Sequence, residues 1–73
     1  MTTFSLVQKD GNRTLVNGIM TAGRCYVFPN GMEKPLCTEN EYEQDGEGHW
    51  EIKQDDLRPI GPGEALELGR LLR

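Results

Sequence analysis

The stretch Arg24-Cys25-Tyr26-Val27-Phe28 indicates the fold of this 73-residue chain more clearly than any other. Side chains in a strand alternate between two faces, and here apolar residues occupy both alternating sets. Strands with this pattern are buried on both faces. The stretch therefore predicts a strand in the centre of a β-sheet.

Turn dipeptides divide the rest of the chain into short segments. Asn-Gly and Asp-Gly pairs tolerate the positive φ angles that tight hairpin turns demand, so each predicts a chain reversal. They stand at positions 10–11, 17–18, 30–31 and 45–46, and Gly-Pro-Gly follows at 61–63. This spacing is typical of short strands in a meander or a small barrel, and it predicts a mostly β fold.

Strands are predicted on both sides of the central one. Residues 4–9 and 12–16 form a hairpin, and a return strand is expected around residues 35–38. Residues 49–53 alternate between apolar and polar side chains, which predicts another strand with one face inward. Pro59 lacks a backbone N–H, so we expect the segment around it to lie at a sheet edge.

The end of the chain predicts a short helix over residues 64–72. Acidic residues lead it and arginines end it, which suits the helix dipole. Ala65, Leu68 and Leu72 share one stripe, and a helix this short needs a packing partner. We interpret it as a cap on the open end of the sheet. The alternative is a helix that contacts a second copy or another partner.

Residues 48–52 carry a tryptophan, and residues 55–60 contain Leu57-Arg58-Pro59. These two stretches resemble the last strands of SH3-like small β-barrel proteins of bacteria and phages, in which a tryptophan-bearing strand precedes a short turn and a Leu-Arg-Pro terminus. Residues 23–28 resemble an opening strand. The resemblance implies a small antiparallel sheet or an SH3-like barrel, and it implies no activity. We expect a single domain with a leading hairpin over residues 1–22, a barrel-like core over residues 23–60 and the helix over residues 64–72.

The charge of the chain is concentrated in its middle. The net charge is −4, and residues 39–56 carry eight carboxylates against Lys53 alone. This distribution disfavours direct binding to nucleic acid, which needs a basic surface. We find no apolar run near the ~20 residues of a membrane span and no signal-like N-terminus. We therefore expect a cytoplasmic protein that does not bind membranes.

The predicted partner-binding site lies in this acidic segment. Glu39, Glu41, Glu43, Asp45 and Glu47 occupy alternate positions, so an extended backbone places at least the first three on one face. Their spacing is comparable to that of phosphates along a nucleic-acid strand. The hypothesis is a nucleic-acid mimic, a phage-type inhibitor that binds a basic groove of a host nucleic-acid-handling protein. The alternative is a solvated acidic strand that protects a sheet edge.

Two aromatic residues complete the predicted site. Tyr42 stands among charged residues, and it is either an interface anchor or a side chain that packs over the sheet. Trp50 belongs in the core and also supplies apolar contact to the partner. The prediction is a small acidic, non-enzymatic interaction protein whose partner has a basic surface. The alternative is a structural or assembly module, either a homo-oligomer such as a homodimer or a phage particle component.

The two cysteines are expected to be buried thiols. A cross-strand disulfide between Cys25 and Cys37 is the alternative. With His49 they are also the candidates for a metal site or a Cys–His nucleophile, but their spacing of 12 lacks the Cys-x-x-Cys pattern. No nucleophile elbow or oxyanion loop accompanies them. The sequence therefore predicts no catalytic residues, no metal and no cofactor.

Overall fold

A curled sheet and one helix make up the fold. The computed structural model describes residues 1–39 and 42–73. The elements are β1 (Thr2–Val7), β2 (Arg13–Thr21), β3 (Arg24–Val27), β4 (Leu36–Thr38), β5 (Trp50–Lys53), a short 3₁₀ turn (Gln54–Asp56), β6 (Arg58–Pro59) and α1 (Pro62–Leu71). The six strands form one half-barrel sheet in the order β5-β1-β2-β3-β4-β6. The prediction of a mostly β fold with a short C-terminal helix is confirmed.

The N-terminal hairpin forms as its turn sequence predicts. β1 and β2 are antiparallel, with Phe4 opposite Val16. The turn between them contains Gly11 at φ 86°, a conformation that glycine adopts without steric cost. The carboxylate of Asp10 accepts the backbone N–H of Asn12 at 2.9 Å. Local turn chemistry therefore sets the register of this pair.

The predicted chain reversal at residues 17–18 is wrong. β2 continues through Gly18 to Thr21 instead of turning there. A Cβ on Gly18 would lie 2.7 Å from the ring of Phe4, and still closer to the carbonyl oxygen of Tyr26. Gly18 therefore allows the ring of Phe4 and the backbone of Tyr26 to approach β2 closely. Close approach of another group is, besides a turn or bulge, a common reason for a glycine within a strand. The chain reverses later, at Gly23, whose φ is 84°.

The N-terminal hairpin lies inside the sheet. β1 pairs with β5 in parallel, with Phe4 beside Trp50, and β2 pairs on its other side with β3. A parallel pair cannot be closed by a tight turn, so the turn pattern contained no signal for it. The outer strands are β5 and β6. The edge position predicted for Pro59 is confirmed, since it lies in β6.

The sheet has an apolar cluster on each face. On the face named here the core face, Cys25 and Val27 of β3 pack with a buried cluster that includes Phe4 and Ile52. On the opposite face, named here the helix face, Tyr26 packs with Phe28, Cys37 and Leu68. β3 is thus buried on both sides, as its sequence predicts.

The cysteines are free thiols on opposite faces of the sheet. Cys25 belongs to the core-face cluster and Cys37 to the helix-face cluster. Side chains on opposite faces of a sheet point apart, which prevents a disulfide without movement of the backbone. This geometry supports the expectation of two buried thiols over the alternative of a disulfide between them.

α1 packs on the helix face through one residue of its predicted stripe. Leu68 is buried against Tyr26 and Phe28, whereas Ala65 and Leu72 are exposed. The backbone N–H of Gly61 donates to Glu64 Oε1 at 2.8 Å, which satisfies one of the free donors at the start of the helix. Within residues 1–39 and 42–73, no helix has the length and apolar character needed to cross a membrane.

Candidate partner-binding site

Most of the predicted acidic segment forms a hairpin, named here the acidic hairpin (residues 43–51). The backbone N–H of Glu51 donates to the carbonyl oxygen of Glu43 at 2.8 Å, and Gln44 forms a bridge with Trp50. These contacts place residues 43–45 along the outer edge of β5. The segment therefore covers a strand edge that would otherwise present unpaired backbone groups.

The turn of the acidic hairpin uses the side chain of Asp45 internally. Its Oδ1 accepts the backbone N–H groups of Glu47 and His49, each at 2.9 Å. The hydrogen bond from His49, followed by the one from Glu47, lowers the pKa of the Asp45 carboxyl. Gly48 has φ 84° and completes the turn. The predicted turn at residues 45–46 is confirmed, and Asp45 is committed to it.

Glu39 is bound by two arginines of its own chain. It forms a close hydrogen-bonded ion pair with Arg58, and its Oε1 lies 3.4 Å from Nε of Arg24. The hydrogen bond from Arg58 is the main cause of the lowered pKa of the Glu39 carboxyl. This carboxylate is therefore not a free member of an anionic row.

The same arginines continue the network to α1. Arg58 Nη1 lies 2.9 Å from Glu64 Oε1, and Arg24 Nη1 lies 3.1 Å from Glu67 Oε1. The hydroxyl of Tyr26 donates to Glu67 Oε1 at 2.5 Å. Opposite charges thus alternate from the sheet to the helix and hold α1 on the helix face.

Two carboxylates of the predicted row stay free among the described residues. Glu43 and Glu47 are exposed, and neither forms an ion pair with a described lysine or arginine. The side chain of Glu47 is 81% exposed, with the imidazole of His49 at 3.8 Å as its neighbour. Glu41, the remaining member of the row, lies outside the described residues.

Tyr42 packs over the core face. Its ring meets the ring of Phe4 edge to face, with centroids 6.4 Å apart. Burial raises the pKa of the Tyr42 hydroxyl to about 12. Of the two sequence-based interpretations, packing over the sheet agrees with these contacts.

Tyr42 and Trp50 meet in one open depression, named here the Trp50 groove. It has a volume of about 380 Å³ and lies at the end of the sheet where β2 turns into β3. Met20 adds an exposed apolar wall, and the ion pair of Arg24 with Glu39 stands at its rim. Three predicted site residues, namely Glu39, Tyr42 and Trp50, therefore come together here.

Asp45 and Glu47 line a different depression, named here the Ser5 groove. Its volume is about 540 Å³, and it includes Ser5, Leu15 and Glu51. Trp50 and Glu51 are neighbours in β5, so they point to opposite faces of the sheet and belong to different grooves. The sequence-based site is therefore divided between two surfaces.

Sequence reasoning did not single out Arg13, Leu15 or Glu51 for the Ser5 groove. Arg13 Nη1 lies 2.5 Å from Glu51 Oε2, and Leu15 is 58% exposed. A signal was present, because a hairpin that turns at residues 10–11 places Leu15 opposite Ser5 and away from the core face. The link from Arg13 to Glu51 had no local signal, since 38 positions separate them.

The cysteines are poorly suited to catalysis. Burial raises the pKa of both thiols, which favours the protonated and less nucleophilic form. The described residues contain no group of three or more His, Cys, Asp or Glu side chains arranged to hold a metal ion.

Comparison with protein families, with characterised proteins and with solved structures finds no match to this chain.

Proposed function

We propose that this chain is a small, non-enzymatic interaction protein whose acidic hairpin binds a basic surface of a protein partner. One observation carries the proposal. Backbone hydrogen bonds and the Asp45 side chain fix the hairpin, while Glu43 and Glu47 project from it without an ion pair to a described lysine or arginine.

A rigid support makes these carboxylates effective in recognition. The hairpin backbone is already ordered, so binding costs little additional conformational entropy there. Exposed charges attract an oppositely charged surface over a distance of ~10 Å at moderate salt. Such charges mainly raise the association rate and select the partner.

The nucleic-acid mimic is a narrower form of this proposal. It requires a regular row of free carboxylates that could replace phosphates in the groove of a nucleic-acid-handling protein. Glu39 is paired with Arg24 and Arg58, and Asp45 is committed to its turn. The observations on the described residues therefore support a basic protein surface more directly than they support a phosphate-spaced row.

Charge-matched variants test the proposal on the full-length chain. The probe is a labelled lysine-rich peptide of about ten residues, whose binding is followed by fluorescence anisotropy. The double variant E43Q/E47Q removes two exposed ion pairs worth ~0.2–1 kcal/mol each, so we expect binding to weaken by about twofold to thirtyfold. Raising the salt concentration should weaken wild-type binding steeply.

The double variant D55N/D56N is the matched control. It removes the same charge from exposed positions that follow β5 and lie outside the acidic hairpin. Binding that is indifferent to salt, or that weakens equally in both double variants, would rule out a localised site on the hairpin.

A second candidate function is an assembly module, for which α1 provides the supporting observation. Leu66 and Leu71 of this helix and Leu72 at its C-cap are exposed, whereas Leu68 is its one buried residue. Exposed apolar side chains grouped on one element are typical of contact surfaces. Light scattering over a concentration series tests this candidate, and a monomer at every concentration would exclude it.

A further inference from the structure

The first half of β2 has backbone groups that no described strand pairs. In an antiparallel strand, successive residues direct their N–H and C=O groups alternately to the two neighbouring strands. The backbone carbonyl of Asn12 accepts the N–H of Gln8 on the β1 side, whereas the backbone carbonyl of Asn17 accepts the N–H of Phe28 on the β3 side. The same alternation directs the backbone groups of Arg13 and Leu15 away from β1.

β3 does not extend far enough to meet these groups. Its pairing with β2 begins at Gly18, and the bond from Phe28 to Asn17 is the last before the chain turns away. No backbone hydrogen bond to Arg13 or Leu15 from outside the sheet occurs among the described residues. The stretch Arg13–Leu15, named here the open edge, therefore presents two N–H and two C=O groups.

The open edge differs from the two outer edges of the sheet. The acidic hairpin covers β5, and Pro59 leaves β6 without one of its backbone donors. Proteins usually block exposed edges in these ways, because a free edge is a template for another strand. The open edge has neither a proline nor a covering segment among the described residues, and Leu15 beside it is 58% exposed.

The Ser5 groove next to the open edge has a matching chemistry. Leu15 forms its apolar wall, and its carboxylates outnumber its one cation. Glu51 is paired with Arg13 and Asp45 is committed to its turn, which leaves Glu47 as the free carboxylate of the groove. A long cationic side chain on an added strand would lay its methylene groups over Leu15 and direct its charged end toward the net negative charge of this groove.

We propose that the open edge is a strand-addition site for an extended segment of a partner protein, with a lysine or arginine opposite Leu15. This rests on the proposed function and adds to it the conformation and register of the partner. The added strand lies beside β2 and exchanges N–H···O bonds with Leu15 and Arg13. Main-chain bonds supply affinity in this mode, and alternate side chains supply specificity.

Amide hydrogen exchange of the full-length chain tests the pairing directly. The probe is a peptide of about seven residues with alternating lysine and valine, long enough to span a typical strand. In the free protein we expect fast exchange at Arg13 and Leu15 and slow exchange at Thr14 and Val16, whose N–H groups face β1. Saturation with the peptide should slow exchange at Arg13 and Leu15 at least tenfold.

One variant of the chain and one of the peptide isolate the backbone contribution. Leu15→Pro removes an N–H that faces the open edge and leaves the β1–β2 bonds in place, so the chain should fold and lose binding at least tenfold. Leu15→Val keeps this N–H and should bind within about threefold of wild type. A peptide that is N-methylated at alternate residues keeps its charge and should not bind.

The outcomes separate this proposal from the proposed function. If the peptide binds in a salt-dependent way without slowing exchange at Leu15, strand addition is overturned and the acidic interaction remains. If a glutamine-for-lysine peptide protects Leu15 equally well, the edge pairs strands but the cationic preference is wrong, and the acidic hairpin contributes nothing to binding at this edge. Protection that increases with protein concentration alone assigns the edge to a second copy and overturns a partner segment as its occupant. No binding at ~1 mM peptide also overturns strand addition.

Discussion

Replacement of Gly18 by alanine tests the packing of the whole sheet. This residue lies within β2, between the ring of Phe4 and the backbone of β3. An added Cβ would approach two carbons of the Phe4 ring at 2.7 and 2.9 Å, and the carbonyl oxygen of Tyr26 still more closely. Real Cβ atoms essentially never lie under 3.0 Å from such neighbours, so something must shift.

The neighbours of Gly18 decide the size of the effect. Phe4 and Tyr26 are fully buried, and the contact with Tyr26 involves its backbone. Relief of the clash therefore requires β2 and β3 to separate or the Phe4 ring to leave its position. Overpacking of this kind costs about 1–3 kcal/mol and sometimes more, and the backbone contact indicates the upper end of that range. The expected loss is about 3 kcal/mol, a large part of the ~5 kcal/mol typical of a small domain.

Urea denaturation followed by the fluorescence of Trp50, the only tryptophan, measures this loss. With a slope of ~1 kcal/mol per molar urea for a small domain, the midpoint should fall by about 3 M. Gly69→Ala is the matched control, because it lies inside α1 with nothing within 4 Å of its added Cβ. That variant should be more stable than wild type by about 0.5–1 kcal/mol. If the free energy of unfolding of Gly18→Ala lies within ~0.5 kcal/mol of the wild-type value, the assigned packing of β2 against β3 and β1 is refuted.

Three further predictions follow from the helix face and the thiols. Leu68→Ala removes the one buried side chain of α1 and should cost about 2–4 kcal/mol, measured by the same urea titration with Leu66→Ala as the exposed control. Acidification should destabilise the fold, because Arg58 and the N–H of Gly61 hold the pKa of Glu64 at about 2 in the folded chain. The stabilisation that the ionised Glu64 contributes is fully present above its unfolded pKa near 4.5, and it is lost as the pH falls through about 2. Glu64→Gln should flatten that part of a thermal melting profile against pH, and an unchanged profile would contradict the assigned ion pair. Cys25 and Cys37 should resist a thiol reagent in the native state and react in denaturant, whereas rapid native labelling would show that they are accessible.

Local patterns were sufficient for several strands. The turn at residues 10–11 fixes the first hairpin, and the doubly apolar stretch over residues 24–28 matches a strand buried on both faces. Trp50 and Ile52 alternate with polar neighbours and face the core side of β5. These features depend on alternation within a strand and on the φ preference of turn residues, which act over a few positions.

The same local signals misled where a residue had a distant neighbour. Asn17-Gly18 reads as a turn, but Gly18 serves a close contact with Phe4 and Tyr26. The helical stripe predicted burial of Ala65 and Leu72, although Leu68 is the only member of that stripe that is buried. The resemblance to SH3-like barrels over residues 23–60 stays a prediction, and the leading hairpin outside it supplies two of the inner strands.

By itself, the sequence determined which segments extend, where most of them turn, and that the negative charge gathers between residues 39 and 56. Only the tertiary structure decided which carboxylates are free, because Glu39 meets Arg58 across 19 positions and Arg24 meets Glu67 across 43. It also decided that β5 joins β1 in parallel and so places Trp50 and Glu51 over different grooves. Alternation and turn chemistry act between near neighbours in the chain, whereas ion pairs and strand order depend on which distant segments the packed core brings together.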